Sequence, residues 1–187
     1  MVDYNSPMKI VMGLGNPGVE YSVTRHNSGV MLVDAIYNLK FEIYKYLYWW
    51  RRKKNIFVAE FPELILVKTA GYFMNESGGV IREFYKNSPN PVENFYLAHD
   101  DLDIKLGEYK IQFGTGPKVH NGVESVENAL GTKEFWRVRI GIDNREPSYA
   151  KASEGREYVL QRFTKEEREV LDKVLEKIAN EITQTNS

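Results

Sequence analysis

The segment Met8-Lys-Ile-Val-Met-Gly-Leu-Gly15 is short, apolar and closed by glycines, the pattern of a buried strand that runs into a loop. It is the first of a series. Runs at 55–61, 63–69, 94–98, 108–113 and 135–143 read as further strands, separated by stretches with helical apolar spacing. One such helix opens at Ser28 and lines up Val30, Met31, Val33, Ile36 and Tyr37, with Asn27 or Ser28 as its expected cap; others are expected over 74–86 and 123–130. Thr164-Lys-Glu-Glu167 is a capping box that opens a last helix, whose Val170, Leu171, Val174, Leu175, Ile178 and Ile182 form one core-facing stripe. Strands alternating with helices predict an α/β fold of three layers around a mostly parallel or mixed sheet. The 187 residues suffice for one core without staples, so a single domain over 1–187 is expected. Residues 1–7 are expected to be flexible, and the polar stretch 144–157, with Pro147, Ser148, Ser153 and Gly155, to be a mobile surface loop.

Counting residues removes several chemistries. The chain has no cysteine, which excludes disulfides, thiol nucleophiles and cysteine-ligated metals and fits a reducing, cytoplasmic setting. No apolar run is long enough to cross a bilayer and the first seven residues lack an apolar signal core, so neither targeting nor a membrane partner is expected. A net charge of -1 makes any nucleic-acid contact local. Imidazole chemistry must use one of three histidines: His26, His99 or His120.

Gly13-Leu-Gly-Asn-Pro-Gly18 has the spacing of a dinucleotide-binding fingerprint, yet a polar stretch separates it from the helix at Ser28, whereas that fingerprint needs the helix N-terminus at the glycine turn. Asn-Pro-Gly is better read as a tight turn, with Pro17 at its second position and Gly18 supplying positive φ. No dinucleotide cofactor is expected. Tyr21-Ser-Val-Thr-Arg-His-Asn-Ser-Gly29 puts His26 in the loop beyond the first strand, where open α/β sheets carry their sites. Asn94-Phe-Tyr-Leu-Ala-His-Asp-Asp-Leu-Asp103 runs a strand into three carboxylates, so Asp100 reaches the same sheet edge if the two strands are neighbours. A carboxylate there fixes an imidazole tautomer and raises its basicity. The same carboxylates suit a divalent cation or a solvated turn, and a zinc site on the three histidines lacks the close i, i+4 pairing of helix-borne sites. Asn75 in Phe73-Met-Asn-Glu-Ser-Gly-Gly79 and Asn121 in His120-Asn-Gly122 read singly as cap or turn residues. Beside one His and one Asp, asparagines also suit amide recognition and polarisation of an ester carbonyl. The stretch 44–54 mixes Tyr46, Tyr48, Trp49 and Trp50 with Arg51, Arg52, Lys53 and Lys54, which fits either a nucleic-acid footprint or a connection with inward aromatics and solvated charges.

Taken in order, Gly13-Leu-Gly-Asn-Pro-Gly, Tyr21, Thr-Arg-His-Asn-Ser-Gly29, Phe-Met-Asn-Glu-Ser-Gly78, Ala-His-Asp-Asp-Leu-Asp103, His-Asn-Gly122 and Arg-Ile-Gly-Ile142 resemble the bacterial-type peptidyl-tRNA hydrolase family, collinearly from Lys9 to about Phe163. The resemblance implies a monomeric α/β/α domain with a mixed central sheet and a carboxylic ester hydrolase that cleaves peptide from the terminal ribose of tRNA, without cofactor or metal. It makes His26 the base that activates water and Asp100 the residue that orients it. Asn16, Asn75 and Asn121 then hold the peptide and the terminal adenosine, Tyr21 lines the crevice, and Lys110 and Arg139 contact phosphates. Two positions depart from the family's pattern. The glycine-rich loop usual before His-Asn-Gly is here Gly114-Thr-Gly-Pro-Lys-Val119, and a basic residue often found at the place of Gln112 is missing, for which Lys118 is a candidate substitute. The alternative is an RNA-binding, splicing-factor-like module of the same fold with weak catalysis; the full set Asn16, His26, Asn75, Asp100 and Asn121 favours the enzyme.

Overall fold

In the computed structural model, which describes residues 8–44, 48–85, 92–145 and 155–184, the first apolar run is β1 (Lys9–Gly13) and lies at the centre of the sheet. The chain continues through α1 (Ser28–Ile43), β2 (Arg51–Lys53), β3 (Ile56–Glu60), β4 (Leu64–Thr69), α2 (Ser77–Tyr85) and β5 (Phe95–Lys105). It then adds β6 (Tyr109–Phe113), α3 (Asn121–Leu130), β7 (Trp136–Asp143), α4 (Gly155–Leu160) and α5 (Lys165–Gln184). The strands described form one sheet in the order β2-β3-β4-β1-β5-β7-β6. β1 runs parallel to β4 and β5, and β5 to β7, while β2, β3 and β6 enter antiparallel, so the sheet is mixed.

Alternation along the strands builds two cores. Val11, Leu66, Ala98 and Val138 face one side, where they meet Leu32, Val33 and Ile36 of α1 and Leu171, Val174, Leu175, Ile178 and Ile182 of α5. Ile10, Met12, Val67 and Leu97 face the other, against Val80 and Ile81 of α2 and Val123 and Val126 of α3. Two helical layers thus enclose the sheet, as the alternation of strands and helices predicts. The expected capping box is present: Thr164 N–H donates to Glu167 Oε2 at 2.8 Å and Glu167 N–H to Thr164 Oγ1 at 3.2 Å. No helix of the described residues is long and apolar enough to cross a membrane.

Glycine spacing at the start of α1 is explained by packing. A Cβ on Gly29 would lie 2.2 Å from the Ala98 carbonyl oxygen, and one on Gly13 would lie 2.3 Å from the Gly29 carbonyl oxygen. Only bare backbone lets the first turn of α1 dock where β1 and β5 run side by side. Gly18 has φ +106, as the Asn-Pro-Gly turn requires, and α1 begins at Ser28 after a 3-10 turn over Arg25–Asn27.

Several elements differ from the sequence reading. β5 does not stop at Ala98 but continues through the buried His99, Asp100 and Asp101; both carboxylates accept from specific partners and His99 Nδ1 donates to the Asp100 carbonyl, so polarity there does not signal a loop. Asn27 does not cap α1 with its side chain; it binds Asn16 instead. α3 begins two residues early because His120 caps it, its Nδ1 accepting from Gly122 and Val123 N–H. The expected helix from residue 74 opens as a 3-10 turn, Met74–Glu76, before α2. In the stretch 44–54, Trp50 stacks on Tyr37 at 5.0 Å and Tyr44 and Tyr48 pack on Phe61, so these aromatics are structural, while Arg51–Lys53 forms an unanticipated edge strand. Trp49 stays exposed, and Tyr46 lies outside the described residues. Within 144–157, Gly155 opens α4. Most of that expected loop, like residues 1–7, falls outside the described residues.

Candidate active site

Ala98 of β5 pairs with Gly13 at the end of β1, so Asp100 lies just past the carboxyl end of β1, where the loop carrying His26 returns. His26 sits in the 3-10 turn ahead of α1 and its Nδ1 is 2.9 Å from Asp100 Oδ1. His120 Nε2 lies 3.0 Å from the same oxygen. Donor roles follow from the partners. Because His120 Nδ1 accepts from two backbone N–H groups at 3.2 and 3.3 Å, its proton is on Nε2 and is donated to Asp100. His26 likewise donates Nδ1–H to the carboxylate, which leaves Nε2 as a lone pair with no hydrogen-bond partner among the described residues. The two rings are 5.1 Å apart.

Asp100 is 2% exposed. Burial alone would raise its pKa, but attraction and hydrogen bonds from His26 and His120 hold it far below the usual carboxylate range. His26 shows the reciprocal effect: burial disfavours its charged form, yet the Asp100 charge and hydrogen bond prevail and raise its pKa above 6.5. His99 is different. It is fully buried, with Nδ1 donating to the Asp100 carbonyl at 2.7 Å, and burial followed by repulsion from His120 pushes its pKa down to about 3. The three carboxylates after Ala98 part company. Asp100 serves the histidines, Asp101 accepts from Arg139 Nε at 2.7 Å, and Asp103 is exposed. A common cation site for all three is therefore not formed, and the three-histidine zinc set is replaced by a different candidate group: His26, Asp100 and His120 offer ligand atoms within 4.8 Å of one another.

Two asparagines form a bonded chain that starts beside His26. Asn27 Oδ1 accepts from Asn16 N–H at 2.9 Å and Asn27 Nδ2 donates to the Asn16 carbonyl at 3.0 Å, a two-point clamp. Asn16 Oδ1 in turn accepts from Met74 N–H at 2.8 Å, which fixes the turn carrying Asn75. Asn75 and Asn121, one residue from Met74 and from His120, are exposed, with no hydrogen bond among the described residues. Tyr21 meets Phe73 edge to face at 6.3 Å. Lys110 is exposed on β6, opposite Arg139 in register. Lys118 is 85% exposed on its side chain, with Nζ 3.5 Å from Asp103 Oδ1.

Arg139 is not where a free phosphate contact would be. Its guanidinium is buried and donates to Asp101 and, through Nη1, to Gln112 Oε1 at 2.7 Å. A Cβ on Gly116 would lie 2.5 Å from its Cζ, so the side chain forms the floor of the loop before His120. This accounts for Gln112 as well: a cation there would face the Arg139 guanidinium, whereas an amide oxygen accepts from it. Two members of the centre escaped the sequence reading as site residues. His120 was signalled only by the scarcity of histidines, and Asn27 only by its place beside His26.

Comparison with known proteins agrees over nearly the whole chain. A family model described as Peptidyl-tRNA hydrolase matches residues 10–187. A Bacillus cereus protein named peptidyl-tRNA hydrolase is 38% identical over 179 residues, covering 92% of this chain and 90% of the relative. One from Desulfitobacterium hafniense with the same name is 36% identical over 183 residues, 94% of this chain and 91% of the relative. The crystal structure of peptidyl-tRNA hydrolase from Acinetobacter baumannii is similar with a TM-score of 0.76 and 25% identity, covering 94% of this chain and 87% of that one.

Proposed function

The chain belongs to the peptidyl-tRNA hydrolase family, and from that premise we propose that it hydrolyses the ester between a peptide's terminal carboxyl and the 3'-terminal ribose of tRNA with His26 as general base and without metal. The observation that carries this reading is the His26–Asp100 hydrogen bond, which leaves Nε2 as the unpaired basic atom of the cluster. His26 Nε2 takes a proton from water, the hydroxide oxygen adds to the ester carbonyl carbon, the carbon–oxygen bond to the ribose breaks, and the imidazolium returns the proton to the ribose oxygen. Asp100 stabilises the imidazolium formed on the way. Asn16, Asn75 and Asn121 supply amide donors for the carbonyl and the peptide, Tyr21 lines the crevice, and Lys110 and Lys118 meet tRNA phosphates. We read the protein as a cytoplasmic monomer that takes no dinucleotide. The splicing-factor-like alternative draws no support from relatives that carry the hydrolase name.

Turnover of N-blocked aminoacyl-tRNA tests the reading. His26→Asn should lower the rate by about 10² to 10⁴, the usual worth of a general base, while tRNA binding persists. Nearly normal turnover would take His26 out of the mechanism. Excess EDTA should leave the wild-type rate unchanged. Activity lost to chelator and restored by Zn²⁺ or Mg²⁺ would instead assign the His26, Asp100 and His120 group to a metal.

A further inference from the structure

The residue before His26 makes a buried contact that the hydrolytic steps above do not use. Arg25 is 4% exposed and its Nη2 lies 2.7 Å from both Glu167 oxygens. Nη1 donates to the Arg162 carbonyl at 2.9 Å, and the guanidinium carbon sits 4.4 Å from the Tyr158 ring centre and 4.9 Å from that of Phe163. The backbone around it is anchored to the same segment, with Arg25 N–H donating to the Gln161 carbonyl at 3.0 Å and Thr24 bridging Arg162. Glu167 is the capping residue of α5 and also accepts from Asn144 Nδ2 at 3.2 Å. Burial would raise the Glu167 pKa, but the Thr164 N–H, Asn144 and Arg25 together hold it below the usual value.

A charged pair this deep contributes little net stability compared with an apolar pair of like shape, so stability alone does not account for it. Geometry supplies one. The turn Arg25–Asn27 is three residues long, shows no side-chain cap, and must aim His26 Nδ1 at one Asp100 oxygen. We propose that Arg25, gripped by Glu167 at the head of α5 and sandwiched between Tyr158 and Phe163, is a positioning residue that fixes the His26 turn in register with Asp100. The proposal rests on His26 being the base, and acts through it: a planar guanidinium that sets Nη2 on Glu167 and Nη1 on the Arg162 carbonyl, between two rings, constrains the turn in ways an ammonium does not. The charged and titratable groups that face His26 are Asp100 from β5 and His120 from the cap of α3.

Arg25→Lys keeps the charge and loses the fork and the stacking. Its kcat on N-blocked aminoacyl-tRNA should fall about ten- to a hundredfold, the cost of misplacing a reacting group by an ångström or so. KM should stay within about twofold, because substrate contacts are untouched. With three histidines in the chain, proton NMR can follow the His26 ring directly, and its titration midpoint should move down toward 6.5 as the Asp100 bond loosens. A purely structural role would lower the melting temperature alone. Unchanged kcat and an unchanged His26 midpoint in folded Arg25→Lys would overturn the proposal. Should that variant not fold, Glu167→Gln, which keeps an acceptor for the Thr164 N–H, must show the same paired loss of kcat and downward midpoint. The NMR midpoint also separates the two readings, since it tests the positioning role even if His26→Asn proves active.

Discussion

One oxygen of Asp100 carries two imidazole donors, and that sharing governs how His26 titrates. A general base must be neutral to act, and the carboxylate holds the His26 pKa above 6.5. The rate should therefore rise with pH through a midpoint above 6.5, and Asp100→Asn should bring that acid limb down while lowering the plateau. An unmoved profile in Asp100→Asn, measured as kcat/KM against pH, would leave Asp100 a structural residue only. Lys118 is the other residue whose role can be isolated. Its side chain is exposed and within 3.5 Å of Asp103, so a phosphate would compete with a weak, solvated partner. Lys118→Ala should weaken tRNA binding and reduce its salt slope by about one contact, while cleavage of a mimic carrying only the terminal nucleoside changes little. Equal losses on both substrates would move Lys118 into the catalytic pocket.

The elements that meet at the site do so through backbone contact. α1 starts against β1 and β5 because Gly29 and Gly13 leave no side chain between them. Gly29→Ala would press a methyl group onto the Ala98 carbonyl, within the strand that continues to Asp100, so α1 and the His26 turn must shift outward. Overpacking of this kind costs about 1 to 3 kcal/mol. Urea denaturation should report that loss, and turnover of the folded variant should fall as well; wild-type stability would mean that the helix start is pliable. α5 reaches the site in a less direct way. Its capping glutamate holds Arg25, so the helix that supplies a long apolar stripe to one core also braces the residue next to His26.

For the whole molecule, stability against pH combines opposed terms. His99 is neutral in the fold, with its pKa pushed to about 3, whereas in the unfolded chain it titrates near 6.5. The unfolded state thus binds the extra proton between those values, and folding stability declines as pH falls from 6.5 toward 3, by up to about 1.4 kcal/mol per unit. Asp100, Glu63 and Glu167, whose pKa values are lowered, contribute stability above the ordinary carboxylate range and lose it as pH falls further. His26 acts in the other direction: its contribution is full below 6.5 and is lost as pH rises through its raised value. Urea midpoints should therefore fall between pH 6.5 and 4.5, with a shallower decline in His99→Gln relative to its own value at pH 6.5. Equal slopes for both proteins would show that His99 charges without unfolding the chain.

Periodicity and turn chemistry alone determined the layered α/β architecture, the α5 capping box, the Asn-Pro-Gly turn with positive φ at Gly18, and the start of α1 at Ser28. These are local matters, settled by apolar spacing and backbone preference within a few residues. The sequence also singled out His26 and Asp100, from their place at the ends of two strands. Tertiary structure decided the rest. Whether β5 ended at Ala98 depended on partners for Asp100 and Asp101 that lie in other elements: two histidines for the one, Arg139 for the other. The family resemblance implies a phosphate contact at Arg139, yet Asp101 and Gln112 turn it inward, and Asn27 reads as a helix cap until Asn16 is beside it. Polar side chains are ambiguous in a sequence because burial is tolerable only where a distant partner satisfies them, and that partner is fixed by packing, not by spacing.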